Sequence, residues 1–264
     1  MKDTAAKGTL RAGNGRRLMR GVCLFAFFLF AVFNSLPAQT RGLDVSKFQG
    51  NINWTKVAKD KTVKFVYIKA TEGTSIQDPY YKTNVAKAKK AGLLVGSYHL
   101  YSSKTTAYQQ FANFKKMVKK SEQDLIPVLD IEGHHVHRLD MKRVDKLLEL
   151  MEKEYGVKPM IYTSEKLYKV HLSGKKYSKY HIFIANYRSY PKVPFTLWQY
   201  TETGHISGVN GYVDISKINR NHSLSEIKMP KKKKSAASST AQAPAVAATG
   251  GTATTPPSAD SSAR

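Results

Sequence analysis

From residue 41 onward the chain repeats one pattern: a short aliphatic run, a turn, then a segment with helical periodicity. Runs at 41–46, 63–71, 93–100, 125–131 and 159–163 read as strands, because they are apolar, short and closed by turn residues. Helical spacing marks the intervening segments 54–60, 80–91, 105–120 and 140–155; Phe111, Phe114 and Val118 share one face, as do Val144, Leu147, Leu148 and Met151. Asp78-Pro79 is expected to start the helix at Tyr80, and Thr105 or Thr106 to cap the next, while Gly92 and Gly156 stop two of them. Three further strands are expected at 181–185, 195–200 and 212–215, with little helix between them. Strand then helix, repeated, implies parallel strands with helices packed outside. The predicted fold class is therefore α/β: a TIM-like barrel of eight mostly parallel strands with outer helices missing, smaller than the ~250-residue norm. An open doubly wound sheet is the alternative, but no Gly-rich phosphate loop is present.

The ends lie outside that pattern. Residues 1–40 carry a basic start (Arg11, Arg16, Arg17, Arg20), an apolar run from Gly21 to Phe33, and a small residue, Ala38, at a plausible cleavage point. This reads as a signal peptide or an N-terminal membrane anchor, short against the ~20 apolar residues of a full span. The working domain is expected at 41–227, exported to the periplasm or beyond, or anchored facing outward. Residues 228–264 contain four consecutive lysines and then mostly Ala, Ser, Thr, Gly and Pro, a composition expected to remain disordered.

Net charge is +24; residues 1–20 hold six bases and one acid, as do residues 228–264, so the middle keeps +14. A basic surface attracts polyanions, and with no nucleic-acid module in the chain an anionic cell envelope is the expected partner. The single cysteine, Cys23, excludes an internal disulfide and a thiolate metal cluster.

Against this basic background the acids stand out. In Leu125-Ile126-Pro127-Val128-Leu129-Asp130-Ile131-Glu132-Gly133, the two carboxylic acids share one face of a strand, with Cα atoms roughly 6.5–7 Å apart. Asp44 and Asp214 each sit between aliphatic neighbours that face the other way. In a closed barrel the first and last strands are adjacent, so all four acids are expected around one pocket at the strand ends, where such barrels build their sites. A carboxylate pair of this kind suits acid/base cleavage of a glycosidic bond. A calcium or magnesium site is the competing explanation, although the acids are scattered over three strands. His134, His135 and His137 lack the helical pair of a zinc site and read as loop residues. Tyr67, Tyr98, Tyr162 and Trp198 fall near strand ends, where aromatic faces suit sugar rings.

Four stretches resemble glycoside hydrolase family 25, the lysozymes or N-acetylmuramidases. They are Gly42 to Gly50 (GLDVSKFQG), Phe65 to Gly73 (FVYIKATEG), Pro127 to Glu132 (PVLDIE), and Leu197 to Thr201 (LWQYT) followed by Val213-Asp214. The resemblance spans about residues 41–220. It implies a flattened eight-stranded barrel with about five helices, and cleavage of the β-1,4 bond between N-acetylmuramic acid and N-acetylglucosamine in peptidoglycan. By motif position Glu132 is the expected proton donor. Asp130 is the second catalytic carboxylate, as nucleophile or as orienter of the substrate's 2-acetamido group. Asp44 and Asp214 fall on the family's remaining active-site acids. Lys69 and Gln199 join Tyr67, Tyr98, Tyr162 and Trp198 as candidate substrate contacts. Phe183 stands where the family commonly has tryptophan. No metal or organic cofactor is expected, and the chain is expected to act as a monomer. A non-catalytic wall-binding barrel and an exported chitinase are the alternatives.

Overall fold

The computed structural model describes residues 39–133 and 139–230. The N-terminal apolar run, His134, His135 and His137, and the tail from Lys231 lie outside the described residues. No helix among the described residues is long and apolar enough to cross a membrane.

Among the described residues, nine strands form one sheet: β1 (Arg41–Val45), β2 (Val63–Glu72), β3 (Ile76–Gln77), β4 (Leu94–Leu100), β5 (Val128–Ile131), β6 (Met160–Ser164), β7 (Ile182–Ala185), β8 (Leu197–Gly204) and β9 (Val213–Ile218). β1 pairs with both β2 and β9, so eight of them close into the expected barrel. β3 is a short antiparallel addition on the end of β2 that the sequence pattern did not disclose. The ladders from β1 through β2, β4, β5, β6, β7 and β8 are parallel. β9 runs antiparallel to both its neighbours. That reversal matters for the site: Asp214, near the start of β9, reaches the same rim as acids at the ends of parallel strands.

Period-two alternation divides the core into two layers. Phe65, Tyr67, Val128, Met160, Tyr162, Phe183, Leu197 and Ile218 fill the barrel interior. Leu43, Val66, Ile68, Leu129, Ile131, Ile161, Ile184 and Ile215 face outward to the helical layer. Interior packing is close enough to require glycine. A Cβ at Gly42 would lie 2.0 Å from the Phe65 ring, and one at Gly96 2.2 Å from the Tyr67 ring. Ile227, fully buried, closes the interior from below, and its carbonyl accepts from Ile126 N at 2.9 Å.

The outer layer holds α1 (Trp54–Val57), α2 (Tyr81–Lys90), α3 (Ala107–Met117), α4 (Met141–Tyr155) and α5 (Glu165–Leu167), the last continuing into a π turn, Tyr168–Leu172. In α4 the Asp140 side chain caps the Lys142 and Arg143 amides, Gly156 ends the helix at φ 71°, and Val144, Leu147, Leu148 and Met151 are buried. Thr106 caps α3 in a reciprocal pair with Gln109. The helix ends before the predicted Lys120, because Val118 turns extended while keeping its side chain buried. Asp78 serves a different purpose from the expected cap. Tyr80 holds the N-cap position of α2, while Asp78 accepts from Tyr80 N at 2.9 Å and Lys47 N at 2.7 Å, tying the loop after β1 to the helix start.

Candidate active site

The barrel's strand-end rim carries a pocket lined by Asp44, Asp130, Glu132 and Asp214, together with Tyr67, Tyr98, Val128, Tyr162, Phe183 and Gln199. Each acid is placed by its strand. Asp44 and Asp214 are register partners in the antiparallel β1–β9 pair and project to the same face. Asp130 sits in β5 beside Tyr162 of β6, with Glu132 just past the strand end.

The first two acids are held by a short polar network. Ser216 Oγ donates to Asp44 Oδ2 at 2.6 Å, and Gln199 Nε2 donates to Asp44 Oδ2 and Asp214 Oδ2, both at 3.4 Å. The Gln199 amide is oriented from its other end, where the hydroxyls of Tyr162 and Tyr187 donate to Oε1 at 2.8 and 2.7 Å. With Oε1 occupied by two donors, the NH2 must face the acids.

Burial dominates the electrostatics. It pushes Asp44 up to about 7, with Glu132's charge adding to the rise and hydrogen bonds from Ser216 and Gln199 opposing it. Asp214 is lifted to about 8, by burial first and then by the charge of Asp44. Asp130, only 6% exposed, is held well above the usual carboxylate range by burial and next by Glu132, with Lys69 pulling it down. Burial and the nearby acids also keep the Tyr67, Tyr98 and Tyr162 phenols protonated, hence available as donors. Asp130 Oδ1 is buried without a hydrogen-bond partner. Such a pocket retains protons on carboxyls near neutral pH and presents hydroxyls and ring faces beside them, which is the chemistry a glycoside demands.

The profile of the glycosyl hydrolases family 25 matches residues 43–209. The chain belongs to that family. It is a glycoside hydrolase of the lysozyme, or muramidase, type. Lysozyme M1 of Streptomyces globisporus is 32% identical over 206 residues, covering 69% of this chain and 70% of that protein. An uncharacterised Escherichia coli K12 protein, YegX, is 35% identical over 202 residues, 72% of this chain and 73% of its own. Among solved structures, the bacterial lysozyme from Streptomyces coelicolor superposes with a TM-score of 0.64 at 28% identity, over 72% of this chain and 96% of that one. A family 25 glycosyl hydrolase from Bacillus anthracis gives 0.64 at 29% identity, over 71% and 93%.

Within this family 25 barrel, most candidate contacts named from sequence meet at the pocket, and two do not line it. Lys69 is on the interior face of β2, two residues past Tyr67, 9% exposed and paired with Glu72 at 2.7 Å. Trp198 neighbours Gln199 on β8 and therefore points the opposite way. Its indole donates to the Asn186 carbonyl at 2.7 Å, and Lys217 Nζ lies 4.4 Å from its ring centroid, on the barrel's outer side. Sequence reasoning did not single out Tyr187 or Ser216. The Ser216 position was open to inference, being two residues beyond Asp214 on one strand face; Tyr187 lies in a loop without a periodic signal. Phe183 packs edge-on against Tyr162 with centroids 5.0 Å apart, so the phenyl forms part of the pocket wall.

Proposed function

We propose that this muramidase cleaves the β-1,4 bond from N-acetylmuramic acid to N-acetylglucosamine with retention of anomeric configuration. The observation that carries this is the convergence of Asp44, Asp130, Glu132 and Asp214 on one pocket at the strand-end rim. Glu132 is the proton donor. It stands at the open end of β5 and is partly exposed, so it reaches a leaving oxygen that the deeper Asp130 does not. Asp130 acts through its acceptor oxygens, orienting the substrate's acetamido group so that the carbonyl oxygen attacks the anomeric carbon. Its unsatisfied Oδ1, and its position two residues before Glu132 in one segment, support orientation over direct nucleophilic attack. Asp44 and Asp214, fixed by Ser216 and Gln199 and holding protons near neutral pH, line the same pocket as hydrogen-bonding groups for the sugar. Tyr67, Tyr98 and Tyr162 supply hydroxyls and ring faces to the sugar. The exported domain works on the wall as a monomer, and its basic surface holds it on the anionic envelope.

Digestion of purified peptidoglycan by the full chain tests this. New reducing ends on N-acetylmuramic acid by mass spectrometry, with the β anomer formed first by proton NMR, are expected. Reducing ends on N-acetylglucosamine, α anomer first, or faster cleavage of chitin oligosaccharides would overturn it.

A further inference from the structure

At the end of the barrel opposite the acids, three potential metal ligands converge from two parts of the chain. His181 immediately precedes β7, His222 lies two residues before the C-terminal 3-10 turn Leu224–Ile227, and Glu226 lies within that turn. One ligand atom from each lies within 4.8 Å of the other two. His222 Nδ1 is 2.7 Å from Glu226 Oε2, and the His181 and His222 rings stand at 79° with centroids 6.2 Å apart. We propose that His181, His222 and Glu226 form a binding site for a borderline divalent cation of the Zn2+ type.

The donor set carries the choice of ion. Two imidazoles and one carboxylate suit zinc, which binds them at about 2.0–2.2 Å, whereas calcium and magnesium prefer oxygen. Small side-chain rotations bring the three atoms onto such an ion, and water completes a tetrahedron. The surroundings already orient two of the ligands. His181 Nδ1 is 3.0 Å from Thr196 Oγ1, which fixes the ring and leaves Nε2 as the ligating atom, the arrangement in which a second partner holds a ligand imidazole. Glu226 Oε1 accepts from Ser223 N at 2.7 Å, which fixes the carboxylate with Oε2 turned to His222 Nδ1, where an ion would replace the proton between them.

The bound ion would join the floor of β7 to the turn that carries Ile227. That turn closes the barrel interior, because Ile227 is fully buried and Leu125 bridges to Lys228. The site is therefore structural: it pins the last packed segment before the tail, remote from the catalytic rim.

The test is zinc titration of the full chain after chelator treatment, followed by calorimetry and thermal denaturation. His134, His135 and His137 are competing ligands, so the titrated protein carries all three as glutamine. About one equivalent of zinc is expected to bind, with the thermal midpoint rising about 5 °C at saturating metal. His222→Gln should lose both effects while cleaving peptidoglycan at the unchanged rate without metal, and His181→Gln should lose the binding too. Stoichiometric binding that survives both variants, or no stoichiometric binding at all, would overturn the proposal.

Discussion

Asp44 and Asp214 face each other across the antiparallel β1–β9 pair, and a single amide, Gln199 Nε2, donates to both carboxylates at 3.4 Å. Two buried acids so placed are protonated more readily in the folded chain than in the unfolded one. Burial lifts Asp44 to about 7 and Asp214 to about 8, from 3.8. The folded state therefore binds more protons between these limits, and stability falls as pH rises from about 4 to about 8. Asp44→Asn removes one such group. Its unfolding free energy should match the parent's near pH 4 and exceed it by pH 8, by an amount on the order of 4 kcal/mol at most, while activity drops. Denaturation scans across this range check it; a gap that narrows with rising pH would contradict it.

Lys69 lowers the affinity of Asp130 for its proton, against burial and the charge of Glu132. Lys69→Met removes that cation. The alkaline limb of the rate profile, set by loss of the acid proton from the Asp130–Glu132 pair, should then move to higher pH by up to about 1 unit. A shift to lower pH in kcat would count against the pairing.

The eight-strand barrel was legible because aliphatic runs and helical periods alternate so regularly, and Asp130 and Glu132 announced themselves by sharing a strand face. What escaped was information carried between strands. The direction of β9 has no signature in Tyr212 to Ile215, since alternation reads the same both ways. Trp198 and Gln199 were both taken for substrate contacts, yet adjacent residues on a strand face opposite sides, so the pair could not both line the pocket. Only the packing of Leu197 into the interior decides that Gln199 is the inward one. Asp78 looked like a helix cap locally; its second partner, the Lys47 amide, is 31 residues away in sequence.

Tyr187 acts through Gln199. Tyr187→Phe removes one of two donors to Oε1, leaving Tyr162 to hold the amide. A fall in kcat of about 3–10-fold with KM nearly unchanged is expected. Gln199→Glu places a third carboxyl between Asp44 and Asp214 and should reduce kcat by about 100-fold or more. Steady-state kinetics on soluble muropeptides separates the two; equal losses would show that the amide orientation is immaterial.

Gly96→Ala introduces a methyl that would meet the Tyr67 ring at 2.2 Å and Leu125 Cβ at 3.0 Å. Tyr67 must move toward the pocket. A destabilisation of about 1–3 kcal/mol with a raised KM is expected, and chemical denaturation alongside kinetics measures both. An unchanged KM would mean that Tyr67 does not shape the substrate site.

Replacing Glu132 by glutamine in the full chain tests the central claim most directly. The substitution keeps size and hydrogen-bonding reach but removes the transferable proton. Release of N-acetylmuramic acid reducing ends from purified peptidoglycan should fall by about 100-fold or more, with circular dichroism and binding to the wall unchanged. Undiminished release from a folded Glu132→Gln protein would contradict the assignment of Glu132 as the acid.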